Sequence, residues 1–270
     1  MDYPRRRQYV RERLTKVGAR ALLVTDLSDI RYLSGFTGSN AVLIVGAAAD
    51  DDVIGTDGRY VDQVAQECVD IPAHIDRDTL AAVAQRVQGW ELIASDTLAW
   101  SDAQVLPAST RFEGSWTAEL RAVKDVDEQS LLRDACEITS RAFDVLLGEI
   151  RPGQSELYLA RRLEQLFGEA GGDNRAFATI VASGPNSAIP HHAPTKRMVE
   201  PGDLVVIDAG ARLGGYCADM TRTVIVAREP NDTQRAMYEA TLLAQEEAAR
   251  AYVPNADMRA IDAIARQVID

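Results

Sequence analysis

Along roughly the first 120 residues, short apolar runs alternate with longer amphipathic stretches. ALLVTD (21–26), AVLIVG (41–46), DVIGTD (52–57) and ELIASD (91–96) predict strands, being short, apolar and bounded by turn residues. YPRRRQYVRERLTKVG (3–18), RYVDQVAQE (59–67) and RDTLAAVAQRVQG (77–89) predict helices. Strands and helices that alternate in this way predict an α/β domain. DLSDIRYLSGFTGSN (26–40) reads as a polar, glycine-bearing connection, and TDGRY (56–60) as a strand-to-helix turn.

The pattern changes within SWTAELRAVKDVDEQSLLRDA (115–135). A charged stretch leads into a long helix over about 127–147, with Leu131, Leu132, Ala135, Ile138 and Ala142 at helical spacing. RPGQSE (151–156) breaks it, and Ser155 is placed to cap the next helix, which GG ends after Ala170. AFATIVAS (176–183) predicts a strand, GPNSAIPHHAPT (184–195) a loop, and NDTQRAMYEATLLAQEEAARAYV (231–253) a long helix closed by Pro254. ADMRAIDAIARQVID (256–270) predicts a final helix whose apolar face is Met258, Ile261, Ile264, Ala265 and Val268. The expected domains are 1–122 and 129–270. The last helix carries an apolar face and no C-cap, so the chain is expected to lack its C-terminal part.

Between these helices lies VVIDAGARLGGYCADMTRTVIV (205–226), two apolar β-branched runs around a glycine pair, each holding one aspartate. It predicts a hairpin turning at RLGG (212–215). A turn centred between Leu213 and Gly214 would set Asp208 directly opposite Asp219, with Cβ atoms about 4.5–5.5 Å apart. Like charges so placed repel, and an apolar hairpin makes their burial costlier. A shared proton or a bound cation relieves that repulsion. Two close carboxylates suit a hard divalent ion, and Thr221, on the Asp219 face by strand alternation, can hydrogen-bond a ligand or a bound water. The alternative is a surface hairpin with two unpaired aspartates.

Composition narrows the class. The 270 residues are 46% hydrophobic and carry a net charge of −12, which argues against nucleic acid or an anionic membrane as partner. No apolar run approaches the ~18 residues of a membrane span. The opening MDYPRRRQYV lacks the apolar core of a signal peptide, so a cytoplasmic location is expected. Cys68, Cys136 and Cys217 are too far apart for a metal-spaced cluster and suit a reducing compartment.

The hairpin VVIDAGARLGGYCADMTRT resembles the metal-binding hairpin of the M24 metallopeptidases, the pita-bread family. ATIVASGPNSAIPHHAPT (178–195) resembles the family's upstream segment, where a histidine lines the substrate site. IRYLSGFTGSNAVLIV and TDGRYVDQ are similar to the creatinase/prolidase N-terminal domain, and LRAVKDVDEQSLLRDA to the junction between the two domains. The resemblance covers nearly all of the chain. It implies an α/β N-terminal domain followed by an α+β pita-bread catalytic domain, of which the first half is expected here.

The same resemblance implies a metal-dependent aminopeptidase or dipeptidase acting on Xaa-Pro bonds in proline-containing peptides, dimeric in its full-length form. It makes Asp208 and Asp219 the first two ligands of a site for two divalent ions (Mn, Co or Zn) with five protein ligands, Asp219 bridging the pair. His191 is implied as a catalytic residue that hydrogen-bonds substrate, with His192 beside it as a further substrate-binding residue; His74 reads as structural. The implied third ligand, a histidine in a glycine-rich motif, and two glutamates would lie further on, and no histidine follows His192. Only two of five ligands are therefore expected, and residues 1–270 alone are expected to be a poor catalyst. Proline-specific dipeptide hydrolysis by the purified chain with Mn or Co added would overturn that expectation. The competing reading is a non-catalytic M24-like binding module. Such relatives lose the metal ligands, so both aspartates argue against it. They argue equally against a creatinase-like amidinohydrolase.

Overall fold

The computed structural model describes residues 1–270, which divide into two compact units, Met1–Gln129 and Ser130–Asp270. The first unit runs α1 (Tyr3–Val17), β1 (Ala21–Val24), α2 (Leu27–Ser34), β2 (Ala41–Gly46), β3 (Val53–Thr56), α3 (Val61–Glu67), β4 (Ala73–Ile75), α4 (Thr79–Arg86), β5 (Leu92–Ser95), α5 (Trp100–Ala103), β6 (Arg111–Glu113) and α6 (Ala118–Ala122). Its six-stranded sheet has the order β4-β3-β2-β1-β5-β6. The central pairs β1–β2 and β2–β3 are antiparallel, while β3–β4, β1–β5 and β5–β6 are parallel.

Strand alternation divides the core of this unit in two. Leu22, Val24, Leu43, Val45 and Ile54 pack with Val10 and Leu14 of α1, Ile30 and Leu33 of α2 and Val64 of α3. Ala21, Leu23, Val42, Ile44 and Val53 point the other way, onto Val83 and Ala84 of α4. With both faces covered, β1, β2 and β3 are buried throughout, which is why their sequences are apolar runs rather than alternations.

Helix α1 starts at Asp2, whose carboxylate accepts from the Arg5 amide at 2.9 Å, and ends at Gly18 with φ 65°. Helix α2 corrects the reading of 26–40 as a simple connection. Asp26 accepts from the Ser28 and Asp29 amides, Gly35 closes the helix at φ 85°, and Ile30 and Leu33 are buried. Two turns rich in Ser, Asp and Gly give too short a periodic signal, and packing against the sheet supplies the stability that propensity does not.

Asp52, 3% exposed, ties this unit together. It accepts from the Gly46 amide at 2.9 Å and takes the Arg11 guanidinium through both oxygens, at 2.7 and 2.8 Å. Arg7, itself buried, forms an ion pair with it at 3.1 Å.

The second unit begins within α7 (Val126–Glu149) and continues α8 (Glu156–Glu169), β7 (Asn174–Arg175), β8 (Ile180–Ser183), β9 (Leu204–Ala209), β10 (Ala211–Leu213), β11 (Tyr216–Cys217), β12 (Met220–Ile225), α9 (Asp232–Ala251) and α10 (Met258–Ile269). The strand expected over 176–183 is confined to Ile180–Ser183. The sheet β12-β9-β8 is antiparallel throughout. Val205, Ile207 and Ala209 of β9 pack under Ile138, Phe143 and Leu146 of α7 and Leu159, Leu163 and Phe167 of α8. Ser155 caps α8 by accepting from the Tyr158 amide at 3.1 Å. Helix α10 packs on α9 and has no fully buried residue. No helix is long and apolar enough to cross a membrane.

Asp52→Ala would leave Arg11 and the Gly46 amide without their buried acceptor and Arg7 without one of its two ion-pair partners. It is expected to lower unfolding stability by about 3 kcal/mol, read from urea denaturation midpoints.

Candidate metal and substrate site

The two central residues of the hairpin loop are Gly214 and Gly215, with φ 58° and 87°. Positive φ at both is the two-residue turn whose twist suits paired strands, and glycine supplies it without strain. Arg212 therefore pairs with Cys217 and Leu213 with Tyr216. The turn centre lies one residue beyond the position expected from sequence, and this moves every cross-strand partner by two. Asp208 pairs with Thr221, not with Asp219.

A shift of two residues preserves the face on which a side chain stands. Asp219 is on the Thr221 side of its strand and lies diagonal to Asp208. Thr221 Oγ1 donates to Asp208 Oδ1 at 3.0 Å. Loss of hydration raises the Asp219 carboxyl above its ordinary value, and the Asp208 charge and a hydrogen bond between the two carboxyls raise it further.

The backbone beside the pair has no room to move. A Cβ on Gly210 would stand 1.7 Å from the Ala218 carbonyl oxygen. Strand β9 ends there. The Gly210 carbonyl accepts from the Ala176 amide at 2.7 Å, and the Ala211 amide donates to the buried Thr139 hydroxyl of α7 at 2.9 Å. Thr139 thus fixes the bend between Asp208 and the hairpin tip. It sits one turn from Ala135, whose carbonyl it also bonds, so helical spacing alone gave no sign of that role.

The histidines divide. His191 is exposed and is not part of the aspartate cluster. The His192 side chain is 9% exposed, and its Nε2 lies 2.9 Å from Glu156 Oε2. One ring nitrogen of His192 is therefore engaged with a carboxylate rather than free for a substrate. Glu156 is the residue that sequence reading missed. It also accepts from Ser183 N and Oγ, Asn186 Nδ2, and Thr195 N and Oγ1, all between 2.7 and 2.9 Å. Burial would raise its pKa, but bonds from Thr195, Asn186, His192 and Ser183 outweigh it and hold the carboxyl far below its usual range. Its place on the buried face of α8 was the available signal.

Two close oxygen-donor carboxyls fit a hard divalent cation, which relieves the repulsion a proton would otherwise neutralise. No three His, Cys, Asp or Glu side chains of this chain converge on one point. An open polar recess of the first unit, lined by Asn40, Asp76, Asp78 and Asp102, is remote in sequence from both aspartates.

A model described as metallopeptidase family M24 matches residues 130–270, and one described as creatinase/prolidase N-terminal domain matches residues 6–129. An uncharacterized peptidase of Bacillus subtilis, YqhT, is 32% identical over 269 residues, covering 94% of this chain and 74% of that protein. An Xaa-Pro dipeptidase of Pyrococcus furiosus is 40% identical over 151 residues, which is 56% of this chain and 43% of that protein. Among solved structures, an Xaa-Pro dipeptidase from Bacillus anthracis superposes with a TM-score of 0.90 at 30% identity. It covers 99% of this chain and 77% of that one.

A carboxyl held below its ordinary pKa contributes stability that is fully present above the unfolded-state value near 4.3 and is lost as pH falls below it. Stability is expected to drop between about pH 5 and pH 3, with a shallower drop in Glu156→Gln, as measured by denaturant titration at each pH.

Proposed function

The chain belongs to metallopeptidase family M24, its peptidase domain preceded by a creatinase/prolidase N-terminal domain, and on that premise we propose that it serves divalent-metal-dependent hydrolysis of Xaa-Pro peptide bonds. The observation that carries the reading is the Asp208–Asp219 pair, two close carboxyls of which Asp219 is raised by the Asp208 charge and Asp208 accepts from Thr221, beside a strand held by packed helices. The Xaa-Pro dipeptidases of Pyrococcus furiosus and Bacillus anthracis support the substrate class, and we favour dipeptidase over aminopeptidase action for the same reason.

Asp208 and Asp219 would hold the ion through their carboxylate oxygens; Mn, Co and Zn all suit such donors. When bound, a divalent ion supplies Lewis-acid polarisation of the scissile carbonyl and makes water acidic enough to attack near neutral pH. Thr221 orients the Asp208 carboxylate by its 3.0 Å hydrogen bond, the support that a ligand needs from its surroundings. His191, exposed on its loop, is free to donate to the carbonyl oxygen as charge develops there. The buried His192 anchors that loop to Glu156. The family arrangement proposed is two ions with five protein ligands in a dimer acting in the cytoplasm, and the two aspartates are this chain's share of the ligand set.

The decisive test is a calorimetric Mn²⁺ titration. Wild type is expected to bind, and Asp208→Asn and Asp219→Asn each to weaken binding at least about tenfold. Binding that survives both changes would remove the aspartates from the site. Absence of binding by wild type would favour the non-catalytic module.

A further inference from the structure

Glu156 is the one charged side chain of the second unit that is fully buried. A dry carboxylate is costly, and an apolar side chain of the same size would pack against the sheet without that cost. What the carboxylate does, and an apolar residue cannot, is collect donors. Oε1 receives Ser183 N, Ser183 Oγ and Asn186 Nδ2. Oε2 receives His192 Nε2, Thr195 N and Thr195 Oγ1.

One oxygen therefore holds the start of the segment 184–195 and the other holds its end. The backbone repeats the arrangement, since the Glu156 and Leu157 amides, unpaired at the start of α8, donate to the Arg197 and Thr195 carbonyls. Arg197 extends the network, donating to Ser183 Oγ at 2.7 Å and to Asp203 at 2.6 Å. The loop leaves β8 at Ser183, which pairs with Val205, three residues or about 10 Å along β9 from Asp208. Between its two tethers the loop carries His191. Leu159, Leu163 and Phe167 fix α8 in the core, so the base of the tether cannot drift.

We propose that Glu156 is a positioning residue. Its carboxylate staples both ends of the 184–195 loop to the start of α8 and thereby sets where the His191 ring stands relative to the aspartate pair. The proposal rests on the reading above that His191 acts on substrate. Glutamine cannot replace the carboxylate, because its amide nitrogen would face three donors in place of one of the two oxygens.

Hydrogen exchange on the full chain tests the staple directly. In Glu156→Gln, amides of 184–195 are expected to exchange at least about tenfold faster, while those of β8, β9 and β12 keep wild-type protection. Unchanged exchange in the loop would overturn the proposal, as would acceleration spread evenly over the whole unit. Should Glu156→Gln fail to fold, Asn186→Ala removes a single donor and is expected to speed exchange in the first half of the loop alone; unchanged exchange there would again overturn it. A double-mutant cycle on Xaa-Pro dipeptide hydrolysis then tests the link to His191. Glu156→Gln is expected to lower kcat with Mn²⁺ affinity retained, and the Glu156→Gln, His191→Ala double variant to be no slower than His191→Ala. Multiplying losses, or a wild-type kcat in His191→Ala, would overturn the link. A wild type that binds Mn²⁺ but releases no proline would accord with residues 1–270 alone being a poor catalyst, and the exchange result still decides the staple.

Discussion

The alternation of β9 is the constraint on which the second unit depends. Val205, Ile207 and Ala209 must go under α7 and α8, because they supply the sheet's share of that core. A strand has only two faces, so Val206 and Asp208 stand on the other one. The carboxylate is thus carried by an apolar strand without entering its core. The same packing holds the strand rigid, which a site built from side chains of two strands requires. Asp219 reaches Asp208 because a close backbone contact at Gly210 and the Thr139 bond to Ala211 fix how the two strands approach.

Asp52 of the first unit and Glu156 of the second are both deeply buried carboxylates, and the two are satisfied differently. Asp52 is met by Arg7 and Arg11, so its charge is neutralised in place and it joins α1 to the strands. Glu156 is met by hydroxyls, amides and one imidazole, which spread its charge over six bonds. Ion pairing suits a fixed core. Many weaker donors drawn from one loop suit a part of the molecule whose shape matters at the surface. The two histidines follow from that choice, since the ring that binds Glu156 cannot also face outward.

Membership of the M24 family gives these features a common purpose. Here the sheet presents two close carboxyls whose like charges repel, the pair we propose to hold a cation. The histidine loop is tethered from below by the helix that packs on the same sheet. The proposed metal ligands and the histidine loop therefore share one foundation, the β8–β9–β12 sheet with α7 and α8.

Local chemistry was legible in the residues themselves. Apolar runs and helical spacing marked the strands and long helices, Ser155 marked the start of α8, and strand parity put both aspartates on one face. These depend on neighbours a few positions away, so the sequence carries them by itself. The register of the hairpin did not follow, because any of several two-residue centres fits RLGG; the left-handed backbone at Gly214 and Gly215 and the contact at Gly210 chose among them. Helix α2 emerged only against the sheet that buries Ile30 and Leu33. The role of Glu156 needed tertiary structure most of all, since its side-chain donors lie 27 to 39 residues away along the chain. Separation of that length leaves no periodic trace in a sequence, and folding alone brings such groups within hydrogen-bonding distance.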